Sequence, residues 1–151
     1  MEEFFPQLPA DPAGITFSFE DISAPAFDFQ QLLPWIERVI SHHQCSLGDL
    51  SYIFCSDDYL HRLNVEYLDH DTLTDIITFP YADPPVISGD LYISLDRVAD
   101  NAKDRELSFE EELKRVVIHG VLHLCGYGDK SEAEAQKMRQ LEDEALNMFE
   151  G

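Results

Sequence analysis

The residues in this chain best suited to chemistry lie in "RVVIHGVLHLCGYGDK", residues 115–130: His119 and His123 four apart, and Asp129 six residues further on. On a helix each residue turns about 100°, so positions i and i+4 differ by only about 40° and share a face. Two imidazoles placed in this way can hold one metal ion at about 2.0–2.1 Å each. Gly126, just past the expected helix end, suits the left-handed turn that terminates helices and lets the chain double back towards Asp129. The pattern H-x-x-x-H-x-x-G-x-x-D then offers three ligands and leaves a fourth position open, as in catalytic rather than structural zinc sites. A histidine pair alone is as readily a core feature, and Asp129 alone an ordinary loop residue. Helix, glycine and carboxylate in this order are what give the metal reading its weight.

Zinc peptidases of the H-E-x-x-H type take their general base from the residue after the first histidine. Here that residue is Gly120, which has no side chain, so the ligand spacing is kept and the base is not. A second group of polar residues lies upstream. "LNVEYLDHDTLTDIITF" places Asn64, Asp71, Thr74 and Asp75 around a helix-to-strand connection, and "SGDLYIS" places Gly89 and Asp90 at a strand entry. Turn chemistry accounts for such residues, because Asp and Asn bond to their own backbone. The functional alternative is that Thr74, Asp75 or Asp90 buttresses the metal ligands or lines a substrate groove.

The elements that must position these residues read as follows. "ITFSFEDIS" (15–23) alternates as a half-buried strand, and "FQQLLPWIERVISHH" (29–43) has helical spacing with Pro34 in its first turn or at a kink. "LSYIFCS" (50–56) is a strand, and Asp57 can cap a helix whose Leu60, Leu63, Asn64 and Tyr67 share a face. "TDIITFPY" and "VISGDLYISL" are two strands joined by "ADPP". A helix over about 95–106, capped by Ser94 or Asp96, precedes the histidine helix. Ser108 with Glu111 and Ser131 with Glu134 make capping boxes for the last two helices. The expectation is one α+β domain over 1–151: a small mixed sheet of about four strands covered by about five helices, with the metal site at the end of a core helix.

The chain has 151 residues, 30 acids against 10 bases, and a net charge of −20, which repels a nucleic-acid backbone at long range. Arg38 and Arg62 are the only bases before residue 97, so the positive charge gathers around the histidine motif. No apolar run approaches the roughly 18–20 residues of a membrane span. Cys45, Cys55 and Cys125 form no C-x-x-C pair, and two acids follow Met1 where a secretory signal would be basic. A cytoplasmic location is expected.

With these residues assembled, the chain resembles the YbeY family of metal-dependent endoribonucleases, implicated in ribosomal RNA maturation in bacteria. "LNVEYLDHDTLTDIITFP", "SGDLYISLDRV" and "VIHGVLHLCGYGD" carry the match, over about residues 60–130. The family's last block resembles H-G-x-L-H-L-x-G-Y-D-H. His119, Gly120, Leu122, His123, Leu124, Gly126 and Tyr127 agree with it.

The resemblance implies one zinc ion per chain or another divalent metal, a single-stranded ribosomal RNA precursor as substrate, and a ribosomal or ribosome-associated protein partner. It makes His119 and His123 ligands through which catalysis runs. Asp129 stands where the family keeps its third histidine, unless a shift of register leaves Asp129 in place of the family's aspartate and no third ligand at all. Leu68 stands where the family commonly has an arginine that faces phosphate, and Lys103, Arg105 or Lys130 would have to supply that charge. The leading expectation is a metal-dependent endoribonuclease of ribosomal RNA maturation and ribosome quality control. The rival is a ribosome assembly factor with a mainly structural metal, and a metallopeptidase is the third reading.

Overall fold

In the computed structural model, residues 14–68 and 74–150 are described; Asp71, the N-terminal acids and the last residue lie outside them. The order is β1 (Ile15–Phe19), a short 3₁₀ turn (Phe29–Gln31), α1 (Leu32–His42), β2 (Ser46–Cys55), α2 (Asp57–Leu68), β3 (Ile76–Pro80) and β4 (Val86–Ser94). Three helices follow: α3 (Leu95–Asp104), α4 (Phe109–Leu124) and α5 (Glu132–Asn147). The sheet runs β1-β2-β4-β3, with β1, β2 and β4 parallel and β3 antiparallel to β4. The α+β architecture with four strands and five helices is therefore the one expected.

Alternation along the strands decides which residues meet the helices. Leu50, Tyr52 and Phe54 of β2 and Ile87, Leu91 and Ile93 of β4 point to one face, where they join Trp35 and Ile36 of α1 and Val117 and Val121 of α4 in the main core. The opposite face carries Ile77, Phe79 and Tyr92, covered by Leu60 and Leu63 of α2. Strand β2 begins earlier than "LSYIFCS" suggests, because Ser46 and Leu47 extend the ladder to Val86 and Ile87 past a bulge. Strand β1 stops at Phe19, since Asp21 takes a positive φ of 49° and turns the chain out of the sheet. Ser56, not Asp57, caps α2: its Oγ accepts from the Tyr59 N–H at 3.1 Å. Asp57 instead accepts from Ser94 Oγ and from the Arg97 guanidinium, tying α2 to α3. On α2, Leu60 and Asn64 are buried, whereas Tyr67 is 62% exposed and does not share their buried face.

Helix α4 carries the histidine pair, and its approach to the sheet fixes where the pair lies. Tyr52 donates its hydroxyl to the Val117 carbonyl at 3.1 Å, a bond from sheet to helix in the buried interior. One turn further on, a Cβ added at Gly120 would lie 2.9 Å from Ile76 Cδ1 and 3.0 Å from Leu91 Cδ1. The residue after His119 therefore faces the sheet, where any side chain would press on the ends of Ile76 and Leu91. Gly120→Glu, which would complete the protease motif, would bury an unpaired carboxylate and should cost at least about 3 kcal/mol. Urea denaturation checks this; an unchanged midpoint would mean that α4 does not lie this close to the sheet.

Candidate metal centre

The geometry around His119 and His123 begins with the end of α4. Cys125 is the last half-helical residue, and Gly126 follows with φ 109°. The Gly126 N–H donates to the His123 carbonyl at 2.9 Å and the Tyr127 N–H to the Leu122 carbonyl at 3.1 Å. This pair of bonds is the Schellman termination, which satisfies carbonyls the helix leaves open and reverses the chain. Asp129 is thereby returned to the histidines. Its Oδ2 lies 3.4 Å from His119 Nε2 and 3.4 Å from His123 Nε2.

Both imidazoles are held with those nitrogens pointing inward. His123 Nδ1 is 2.9 Å from the Tyr127 carbonyl, which can only accept, so Nδ1 carries the proton and Nε2 keeps its lone pair. His119 Nδ1 donates to Glu142 Oε2 at 2.6 Å. The two rings are nearly perpendicular, 4.5 Å between centroids. A tetrahedral ion with bonds of about 2.0–2.2 Å separates its ligand atoms by about 3.3–3.5 Å. The two 3.4 Å separations fit such an ion, and one donor atom from each of the three residues lies within 4.8 Å of the others.

Glu142, on α5, is a residue that sequence reasoning missed. It is buried, accepts from Arg115 at 2.9 Å through Oε1, and faces His119 through Oε2. Burial pushes its carboxyl up, but the hydrogen bonds from His119 and Arg115 outweigh this and hold it below the usual range. Burial likewise opposes charge on His119, yet the bond and charge of Glu142, with Asp129 and Asp75 adding, raise its pKa. A carboxylate behind a ligating imidazole fixes the tautomer and makes the free nitrogen more basic.

The other expected site residues divide. Asp75, half-buried, lines both cavities that meet at His119 and Asp129, one of about 500 Å³ and one of about 740 Å³. Burial raises its pKa, with the charge of His119 pulling the other way. Thr74 and Lys130 line the larger groove, as does Leu68. Thr74 also bonds the Ile76 carbonyl, and the Lys130 N–H donates to Glu134 in the cap of α5, so both take part in turns as well. Asp90 is not brought to the histidines. It pairs with Phe79 on the sheet face opposite Leu91, where Tyr81 donates its hydroxyl to it. Strand alternation is the reason. Of the three cations considered for phosphate, Arg105 lines the smaller cavity with Asp75 and His119 but is bound at 2.6 Å to buried Glu112. Lys103 is exposed near the end of α3 and lines neither cavity.

Comparison with known proteins matches residues 17–150 to the model of the family described as Endoribonuclease YbeY. A protein of that name from Flavobacterium johnsoniae is 57% identical over 80% of this chain and 86% of its own length. One from Porphyromonas gingivalis is 46% identical over 91% of each chain. The solution structure of TM1509 from Thermotoga maritima superposes with a TM-score of 0.59 at 29% identity, covering 88% of this chain and 89% of that one.

If Glu142 orients His119 as a ligand, Glu142→Gln should weaken zinc binding about 10- to 100-fold in a chelator competition. Arg115 keeps Asp143 as a partner, so the fold should persist. Unchanged affinity would remove Glu142 from the centre.

Proposed function

The chain belongs to the YbeY endoribonuclease family, and from that premise we propose that it cleaves single-stranded RNA using one divalent ion, zinc first. In this reading the ion is held by His119, His123 and Asp129, and the work is ribosomal RNA maturation and quality control in the cytoplasm beside a ribosomal protein. The observation that carries the proposal is the shared approach of both Nε2 atoms to one Asp129 oxygen, with both Nδ1 atoms committed elsewhere. When bound, the ion supplies Lewis acidity for the scissile phosphate and its attacking water.

The chain's own residues would do the rest. The larger groove, with Leu68, Ile76 and Leu124 on its apolar side and Thr74 and Lys130 among its polar groups, would hold a nucleotide against the centre. Asp75, raised by burial and placed where the two cavities meet, is our candidate to accept the proton of the attacking water. A carboxylate ligand makes the centre less electrophilic than three imidazoles would. A carboxylate oxygen also suits it to somewhat harder ions, such as manganese.

The assembly-factor reading keeps specific support. The groove has Leu68 where a guanidinium would help phosphate, and the chain carries −20 overall. Its main arginines are tied up too, Arg97 on Asp57, Arg105 on Glu112 and Arg115 on Glu142. Such a surface suits docking on a basic protein better than gripping RNA unaided. A peptidase finds no support, because the position of its base is packed against the sheet.

A single-stranded RNA cleavage assay separates the readings. Cleavage should disappear with chelator and with His119→Ala, and Asp75→Asn should slow it about 10²- to 10⁴-fold while metal content stays the same. Metal-loaded protein that leaves RNA intact would favour the assembly factor. Restoring the guanidinium, Leu68→Arg, should raise kcat/KM on RNA, and no gain would mean that the groove does not seat the phosphate there.

A further inference from the structure

We propose that His42, His43 and Glu144 form a second site for a divalent transition-metal ion, on the far side of Tyr127 from the first. His42 ends α1, His43 caps it and Glu144 projects from α5, and one donor atom from each lies within 4.8 Å of the others. His42 Nε2 is 3.3 Å from Glu144 Oε1, a separation that a shared ion of about 2 Å bond length spans. The two imidazoles stand nearly perpendicular, 5.2 Å between centroids.

The surroundings favour a cation that water can reach. His42 and Glu144 are each about half exposed, 49% and 53%. Two imidazoles with one carboxylate suit zinc, nickel or copper rather than calcium or magnesium. Burial lowers the pKa of His43 most, His42 and Lys137 lower it further, and Glu144 opposes them. Lys137 also repels an incoming ion, so this site should bind more weakly than the first.

Tyr127 joins the two sites. Its hydroxyl is 3.1 Å from His43 Nδ1, and its carbonyl accepts from His123 Nδ1 at 2.9 Å. With Nε2 of His43 given to the ion, its Nδ1 keeps the Tyr127 hydroxyl, so one residue touches both sites.

The test is zinc titration of the metal-stripped full chain against a chromophoric chelator. Wild type should take up about two ions per chain, the second more weakly. The His42→Ala/Glu144→Gln variant, altered at exposed positions, should take up about one with the tight affinity kept. His119→Ala should lose the tight ion and keep the weak one. Wild type that binds a single ion lost in His119→Ala overturns the proposal, as does a His42→Ala/Glu144→Gln variant that still binds two. A single ion kept in His119→Ala but lost in that variant would sustain this site and refute the first instead. Glu144→Gln alone serves as the milder variant, and it should weaken the second ion at least several-fold; no change there would also count against the site.

Discussion

The closeness of α4 to the sheet is the constraint on which the centre depends, and Gly120 sets it. With no side chain between helix and strands, Ile76 and Leu91 fill the space and α4 lies flat on β3 and β4. His119 and His123 then emerge on the helix shoulder, partly shielded and still open to the grooves, at 22% and 29% exposure. A bulkier residue there would have to displace the ends of Ile76 and Leu91, which pack beneath the imidazole pair. The same glycine that leaves the protease base without a side chain thus lies beneath the histidine pair.

The second support comes from α5. Trp35 of α1 donates its indole N–H to the Ala145 carbonyl at 2.7 Å in the buried interior, and Phe149 stands edge-on to the same indole. This anchors the helix that carries Glu142, so the carboxylate meets His119 from behind at a fixed angle. Arg115 completes the line by holding Glu142 and Asp143 from α4. A buried charge of this kind persists only with such partners. The centre is therefore braced on both imidazoles, by a carboxylate on one and a backbone carbonyl on the other.

What the sequence made legible was local. The histidine spacing, Gly126 and the capping boxes at Ser108 and Ser131 each depend on residues within one or two turns, and each is found as read. For Asp90 the alternation of β4 is informative: Leu91 and Ile93 mark the core face, and Asp90 lies on the other. Ser56 was passed over for Asp57 because either residue type can cap, and only the fold shows that Asp57 is engaged by Arg97. Glu142 was beyond reach. It lies 23 residues from His119, among thirty acids, next to an apolar stripe that reads as ordinary helix packing. The second histidine pair, adjacent rather than four apart, needs the fold to bring Glu144 to it.

The central claim is that Asp129 completes a metal centre with His119 and His123. The most direct measurement is a crystal structure of the zinc-loaded protein with anomalous data at the zinc edge. A peak is expected at about 2.0–2.2 Å from His119 Nε2, His123 Nε2 and an oxygen of Asp129. A peak held by the histidines with Asp129 turned away, or no peak between them, would contradict it.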